Sequence, residues 1–176
     1  MDYFYTCHIQ DGVDYKLVDF RKLVRDILTH PHSWRTYGYT FTETPANETR
    51  DKRRHFNIYL AHDSYISSFG DTFHGMSVAN CAVNDIHINY RRWMTGAKDD
   101  DVNDPVRSTM SFDMYRSYVI QHEVGHILWG CTAMDHKTKC VNRVAPIMFQ
   151  QTNGVGENCA PNGFPLEKDL PPSYKE

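Results

Sequence analysis

The sequence has no run of about 18 apolar residues, so it offers no segment able to cross a bilayer as a helix. Its opening, "MDYFYTCHIQDGVDY", has neither a basic leader nor an apolar stretch with a cleavage site. It does not read as a secretory signal peptide, so export would need a trimmed precursor or another route. The five cysteines include no C-x-x-C pair, which argues against a cysteine zinc site and a dithiol redox centre. Their odd number leaves at least one thiol outside any pairing within the chain. Positive charge is not in excess either: 19 basic residues face 22 acidic ones, for a net charge of −3. Neither a nucleic-acid partner nor a polybasic membrane anchor is expected. No internal repeat is present.

What the chain does have is a globular composition, with 40% hydrophobic and 23% charged residues over 176 positions. That length and balance suit one compact domain covering residues 1–176. Aromatics reach 13%, including eleven tyrosines, which favours strands over a helical bundle. "YFYTCHI" (3–9) reads as a first strand, and "YGYTFTE" (37–43) and "HFNIYLA" (55–61) as two more. Between them Phe20, Leu23, Val24, Ile27 and Leu28 recur at the spacing of an amphipathic helix. Asp19 is placed to cap it and Pro31 to stop it. "GMSVANCAV" and "DIHINYRRW" flank a turn at Asn84 and predict a hairpin.

The acidic loop "TGAKDDDVNDP" (95–105) lacks the glycine and terminal glutamate of an EF-hand loop and reads as a solvated linker. Asn47-Glu48-Thr49 fits a glycosylation acceptor, but in this context reads as a solvated turn. A second helix is expected to start near Ser111. After it, the Gly- and Pro-rich stretch to residue 176 is irregular. The order predicts an α+β domain: a twisted mixed sheet with an amphipathic helix over residues 1–130, and an irregular C-terminal part over 131–176.

The second helix carries the chemistry. "YVIQHEVGHILW" contains His122-Glu123-Val124-Gly125-His126. At 3.6 residues per turn, His122 and His126 project from one face and can hold one Zn²⁺. Glu123 is poised to take a proton from a water that the metal activates, then pass it to a leaving amine. Such a helical H-E-x-x-H reads as a metallopeptidase site. Two histidines and a glutamate can also meet by chance on a solvated face. The apolar flanks argue against that here, because burying these groups without a partner is costly. Gly125 leaves room for another backbone to approach.

A third ligand is needed. The usual position, ten residues after the first histidine, is Thr132, which supplies no suitable atom. His136 is the better candidate, with Asp135 as competitor, Cys131 as a thiolate that would silence the enzyme, and Glu157 further away in a glycine-rich stretch. Helix continuation through Trp129, a turn at Gly130 and a loop over "CTAMD" would bring His136 back to the metal.

Beyond the five-residue core, "YRSYVIQHEVGH", His136, Cys140, "RVAPIMFQQT" and Cys159 occur in order. "FRKLVRDILTHPHSW" and "INYRRWMTGA" precede them. Together these segments, from about residue 9 to 165, resemble a bacterial domain-of-unknown-function family of metzincin-type zinc peptidases. The chain departs from the metzincin spacing H-E-x-x-H-x-x-G-x-x-H, since Trp129 stands where the glycine belongs and Gly130 follows one place late. A four-residue insertion in the loop between helix and third ligand accounts for the late His136.

The resemblance implies a zincin-like fold and Zn²⁺ held by His122, His126 and His136. It also implies Met148 in a Met-turn beneath the metal, Glu123 as general base and a disulfide between Cys140 and Cys159. The implied substrate is a peptide or protein lying along an edge strand such as "SVANCAV". The competing reading is a non-catalytic zinc protein that keeps the metal for stability or interaction.

Overall fold

The computed structural model describes residues 1–46, 48, 51, 53–73, 75–97, 110–130, 140–156 and 158–171. Outside them lie most of the acidic loop, two residues of the Asn47 triplet, and Cys131, Thr132, Asp135, His136 and Glu157.

Five strands form one mixed sheet: β1 (Asp2–Ile9), β2 (Thr40–Glu43), β3 (His55–Ala61), β4 (Val78–Asn80) and β5 (Asp85–Asn89), in the order β2-β1-β3-β5-β4. The first four in that order run parallel and only β4 is antiparallel. Period-two alternation sets the faces. Tyr3, Tyr5 and Cys7 of β1, Phe56, Ile58 and Leu60 of β3, and Ile86 and Ile88 of β5 are buried on the helix side. Thr6, His8, His55, Asn57, Tyr59, Asp85 and His87 occupy the other face.

Helix α1 (Leu17–Thr29) is the crossover between parallel β1 and β2, and buries Phe20, Val24, Ile27 and Leu28. Its N-cap is Lys16, without a side-chain cap. Asp19 lies inside the first turn, where a carboxylate favours the helix dipole rather than capping it. A short α2 (Asp63–Ser67) follows β3. The strand expected over 37–43 starts only at Thr40, because Trp34–Tyr37 form a 3-10 turn closed by Gly38 at φ 80°.

The predicted hairpin exists, with Asn84 at φ 57° in its turn. Its second arm ends at Asn89, however. The Asn89 side chain accepts the Arg92 N–H and starts α3 (Tyr90–Thr95), so "YRRW" is helical. Helix α4 (Phe112–Leu128) is capped by Ser111, whose hydroxyl accepts the Met114 N–H, and it ends at Trp129 and Gly130 (φ 61°). It packs beside α1: Gln121 Nε2 donates to the Ile27 carbonyl, and Trp34 Nε1 to the Gln121 carbonyl, both at 3.0 Å. No helix among the described residues is long and apolar enough to cross a membrane.

Candidate functional site

α4 is buried on almost every side in its second half, which places His122, Glu123 and Gly125 inside the molecule and His126 at its edge. The His122 and His126 rings lie edge to face with centroids 5.0 Å apart. His122 Nδ1 is 2.8 Å from the Ile147 carbonyl. A carbonyl can only accept, so Nδ1 carries the proton and Nε2 keeps its lone pair for another partner.

The Ile147 carbonyl is itself held in place. Asp169, 2% exposed, accepts the backbone N–H groups of Ile147 (2.9 Å), Met148 (3.0 Å) and Leu166 (2.7 Å). The Asp169 carbonyl accepts Trp129 Nε1 at 3.0 Å, tying this turn back to the end of α4. Burial raises the Asp169 pKa, opposed by those three N–H donors. Nothing in "EKDL" announces this role; a lone aspartate in an irregular tail has no periodicity to read.

Met148 is buried against α4 directly at Gly125, where a Cβ would collide with its sulfur and meet Trp34 Cζ2 at 3.0 Å. The glycine therefore admits side chains, not the backbone expected from the sequence. Gln151 ties the same segment to the C-terminal region: its Nε2 donates to the Pro146 and Asn162 carbonyls and its Oε1 accepts the Asn162 N–H. Cys140 and Cys159 are joined by a disulfide with Cα atoms 6.0 Å apart. Cys81 is disulfide-bonded as well, and Cys7 is a buried free thiol.

The histidines open into a cleft of about 310 Å³ roofed by edge strand β4 and the segment before it. Glu123, 4% exposed, reaches up to that strand and accepts the Ala79 N–H, while its Oε2 is buried with no hydrogen-bond partner among the described residues. Burial pushes its pKa up to about 8 against the opposing Ala79 bond. An orphaned carboxyl oxygen at this depth calls for a cation or a proton donor.

Two imidazoles one turn apart with one tautomer fixed, together with that orphaned oxygen, fit a zinc ion and a bound water. No group of three potential metal ligands occurs among the described residues. The predicted third ligand, His136, and its rivals Asp135, Cys131 and Glu157 lie outside them. Of the predicted site residues, the structure brings together His122, Glu123, His126 and Met148. Gln150, which also lines the cleft, has no sequence signal beyond its place in "RVAPIMFQQT".

No curated protein and no solved structure matches the chain. The profile of one family, described as a protein of unknown function (DUF3152), matches residues 1–169. Spanning the sheet, α4, the Met148 turn and Asp169, that match makes the chain a member of the DUF3152 family.

Proposed function

We propose that this protein is a zinc-dependent endopeptidase of the metzincin type. The observation that carries the reading is the buried Glu123 Oε2, with no hydrogen-bond partner among the described residues, beside two helical histidines and beneath the backbone of an edge strand. Zinc, when bound, supplies Lewis acidity that polarises a carbonyl and acidifies water.

The rest belongs to the chain. His122 and His126 offer ring nitrogens, and the Ile147 carbonyl keeps His122 in the tautomer that can coordinate. His136 is the third ligand in this reading, with Asp135 as its competitor. A nearby cation would draw the Glu123 pKa down from its raised value and leave a carboxylate able to accept a proton at neutral pH. The strand β4 backbone, through Ala79, fixes that carboxyl. An extended peptide adding along the outer edge of β4 would bring its carbonyl over the histidines. Met148 beneath the helix supports the metzincin assignment.

Metal analysis of the purified protein together with a peptide-library digest tests the proposal. One Zn²⁺ per chain is expected, lost in His122→Ala and His126→Ala. Glu123→Gln should keep the metal and lose at least about 10²-fold in hydrolysis. A zinc-loaded protein that cuts no peptide would favour the non-catalytic zinc reading. Undiminished activity in the glutamine variant would remove Glu123 as the base.

A further inference from the structure

Gln150 lies two residues past Met148 and lines the same cleft as His122, Glu123 and His126. Its orientation is set from beneath by Tyr118, one turn before His122 on α4 and 1% exposed. The Tyr118 oxygen accepts the Gln151 N–H at 3.0 Å, so its own proton must go to another acceptor. Gln150 Oε1 at 2.9 Å and the Phe149 carbonyl at 3.3 Å are both in reach, with the Thr152 hydroxyl also beside the phenol, and the shorter of the two bonds is to Gln150.

A carboxamide anchored by its oxygen turns its NH₂ group away from the anchor. The neighbouring Gln151 spends both ends of its amide on structural bonds, whereas half-buried Gln150 faces the cleft. Among the described residues lining this cleft there is no tyrosine, and apart from Gln150 and the two histidines only Thr72 and Ser77 bring uncharged side-chain donors to it. Ser77 Oγ accepts the Asn89 N–H at 3.0 Å, which holds it on the sheet side and leaves its own proton available.

We infer that Gln150 is a catalytic residue of the hydrolysis proposed above, its Nε2–H donating to the oxyanion that forms on the scissile carbonyl; the inference rests on that reading. In the step it serves, a water oxygen bonds to the carbonyl carbon while Glu123 takes one proton. The carbonyl π pair moves onto oxygen, where the Gln150 amide meets the new charge. Collapse reforms C=O and breaks C–N, and the proton on Glu123 goes to the leaving nitrogen. A neutral amide donates throughout without titrating. Tyr118 is then a positioning residue, acting through Gln150. A preorganised donor aimed at such an oxyanion contributes about 10²–10³-fold in kcat.

The test uses zinc-loaded full-length protein and a cleavable peptide from the library digest. Gln150→Ala should lower kcat about 10²-fold with little change in KM. Gln150→Glu keeps the acceptor for Tyr118, lacks the donor, and should lose as much. Both should retain wild-type zinc stoichiometry and affinity. By calorimetry, Gln150→Ala should lose about as much affinity for a phosphinic peptide, whose tetrahedral anion mimics the transition state. Its affinity for the uncleaved peptide, measured in a Glu123→Gln background, should not change.

Wild-type kcat and phosphinate affinity in both Gln150 variants, beside an active parent, would overturn the assignment. So would loss of zinc affinity in Gln150→Ala, which would make Gln150 a metal ligand. A wild-type protein that binds zinc but hydrolyses nothing would fail the parent reading, and this inference with it.

Discussion

Gly125 shows how much of the site rests on single atoms. Its missing Cβ is the space taken by the Met148 sulfur and approached by the Trp34 ring, with His122 and His126 at either end of the same turn. In an isolated helix Gly→Ala would gain about 1 kcal/mol. Here overpacking costs roughly 1–3 kcal/mol, and neither neighbour can yield freely. Trp34 is held through its indole N–H, and the Met148 backbone through Asp169. Gly125→Ala is therefore expected to lower unfolding stability in urea and, on the proposed function, to weaken zinc binding with it, because the added methyl displaces the helix face that carries both histidines. Unchanged stability with unchanged zinc affinity would show that Met148 does not pack where the geometry puts it.

At the scale of elements, the sheet face turned away from α1 and α4 carries a stacked row across three parallel strands. His8 stacks on Tyr59 at 4.5 Å and Tyr59 on His87 at 5.1 Å, with Tyr65 of α2 edge-on to His87 at 5.3 Å. Burial lowers the pKa of His87, opposed by Asp85, and burial and then His8 lower that of His55. A depressed histidine contributes stability that is present above its unfolded value of about 6.5 and is lost as pH falls through the lower folded value. Burial-raised Glu123 pulls stability the other way over this window, so the histidine contribution is read as a difference. From about pH 7 to about pH 5 the wild-type urea midpoint should fall relative to that of His87→Phe, which keeps the ring stack. Parallel pH curves for the two proteins would rule His87 out as the source.

This face was not anticipated as a unit, although its strands were. "HFNIYLA" forms β3 as expected because its alternation matches a sheet with one apolar face. Ser111 and the apolar stripe of α1 likewise announce their helices. The Asn89 turn into α3 and the 3-10 turn at Trp34 were missed, since both depend on tertiary partners, Met76 with Ser77 and Gln121. At the site, His122, Glu123 and His126 declare themselves by helical spacing. Gln150 and Asp169 have no such period and become visible only when the tail folds back under α4.

Over the whole molecule, that folding-back joins the sheet and α4 to a C-terminal region with little regular structure of its own. Its described parts are held by a short bridge between Val144 and Ala160, the Gln151–Asn162 bonds, Asp169 and the Cys140–Cys159 disulfide. Few hydrogen-bonded ladders run through its described residues, so the constraint on its unfolded state matters more. A crosslink over a sequence separation of 19 stabilises by about 3 kcal/mol on the loop-entropy estimate. Cys140→Ser with Cys159→Ser should lower stability by that order. On the proposed function it should also weaken zinc binding, because the segment bearing the Ile147 carbonyl loses its closure.

Cys7 supplies the internal control. It is 5% exposed in the middle of β1, and burial drives its pKa well above the ordinary thiol range. A buried, protonated thiol resists alkylation. Mass spectrometry after alkylation under native conditions should leave the Cys7 peptide unmodified in both proteins, and the 140 and 159 peptides linked in the parent. Labelled Cys7 in the serine variant would mean that the loss has spread to the sheet, and that the disulfide holds the whole fold rather than the turn beneath the histidines.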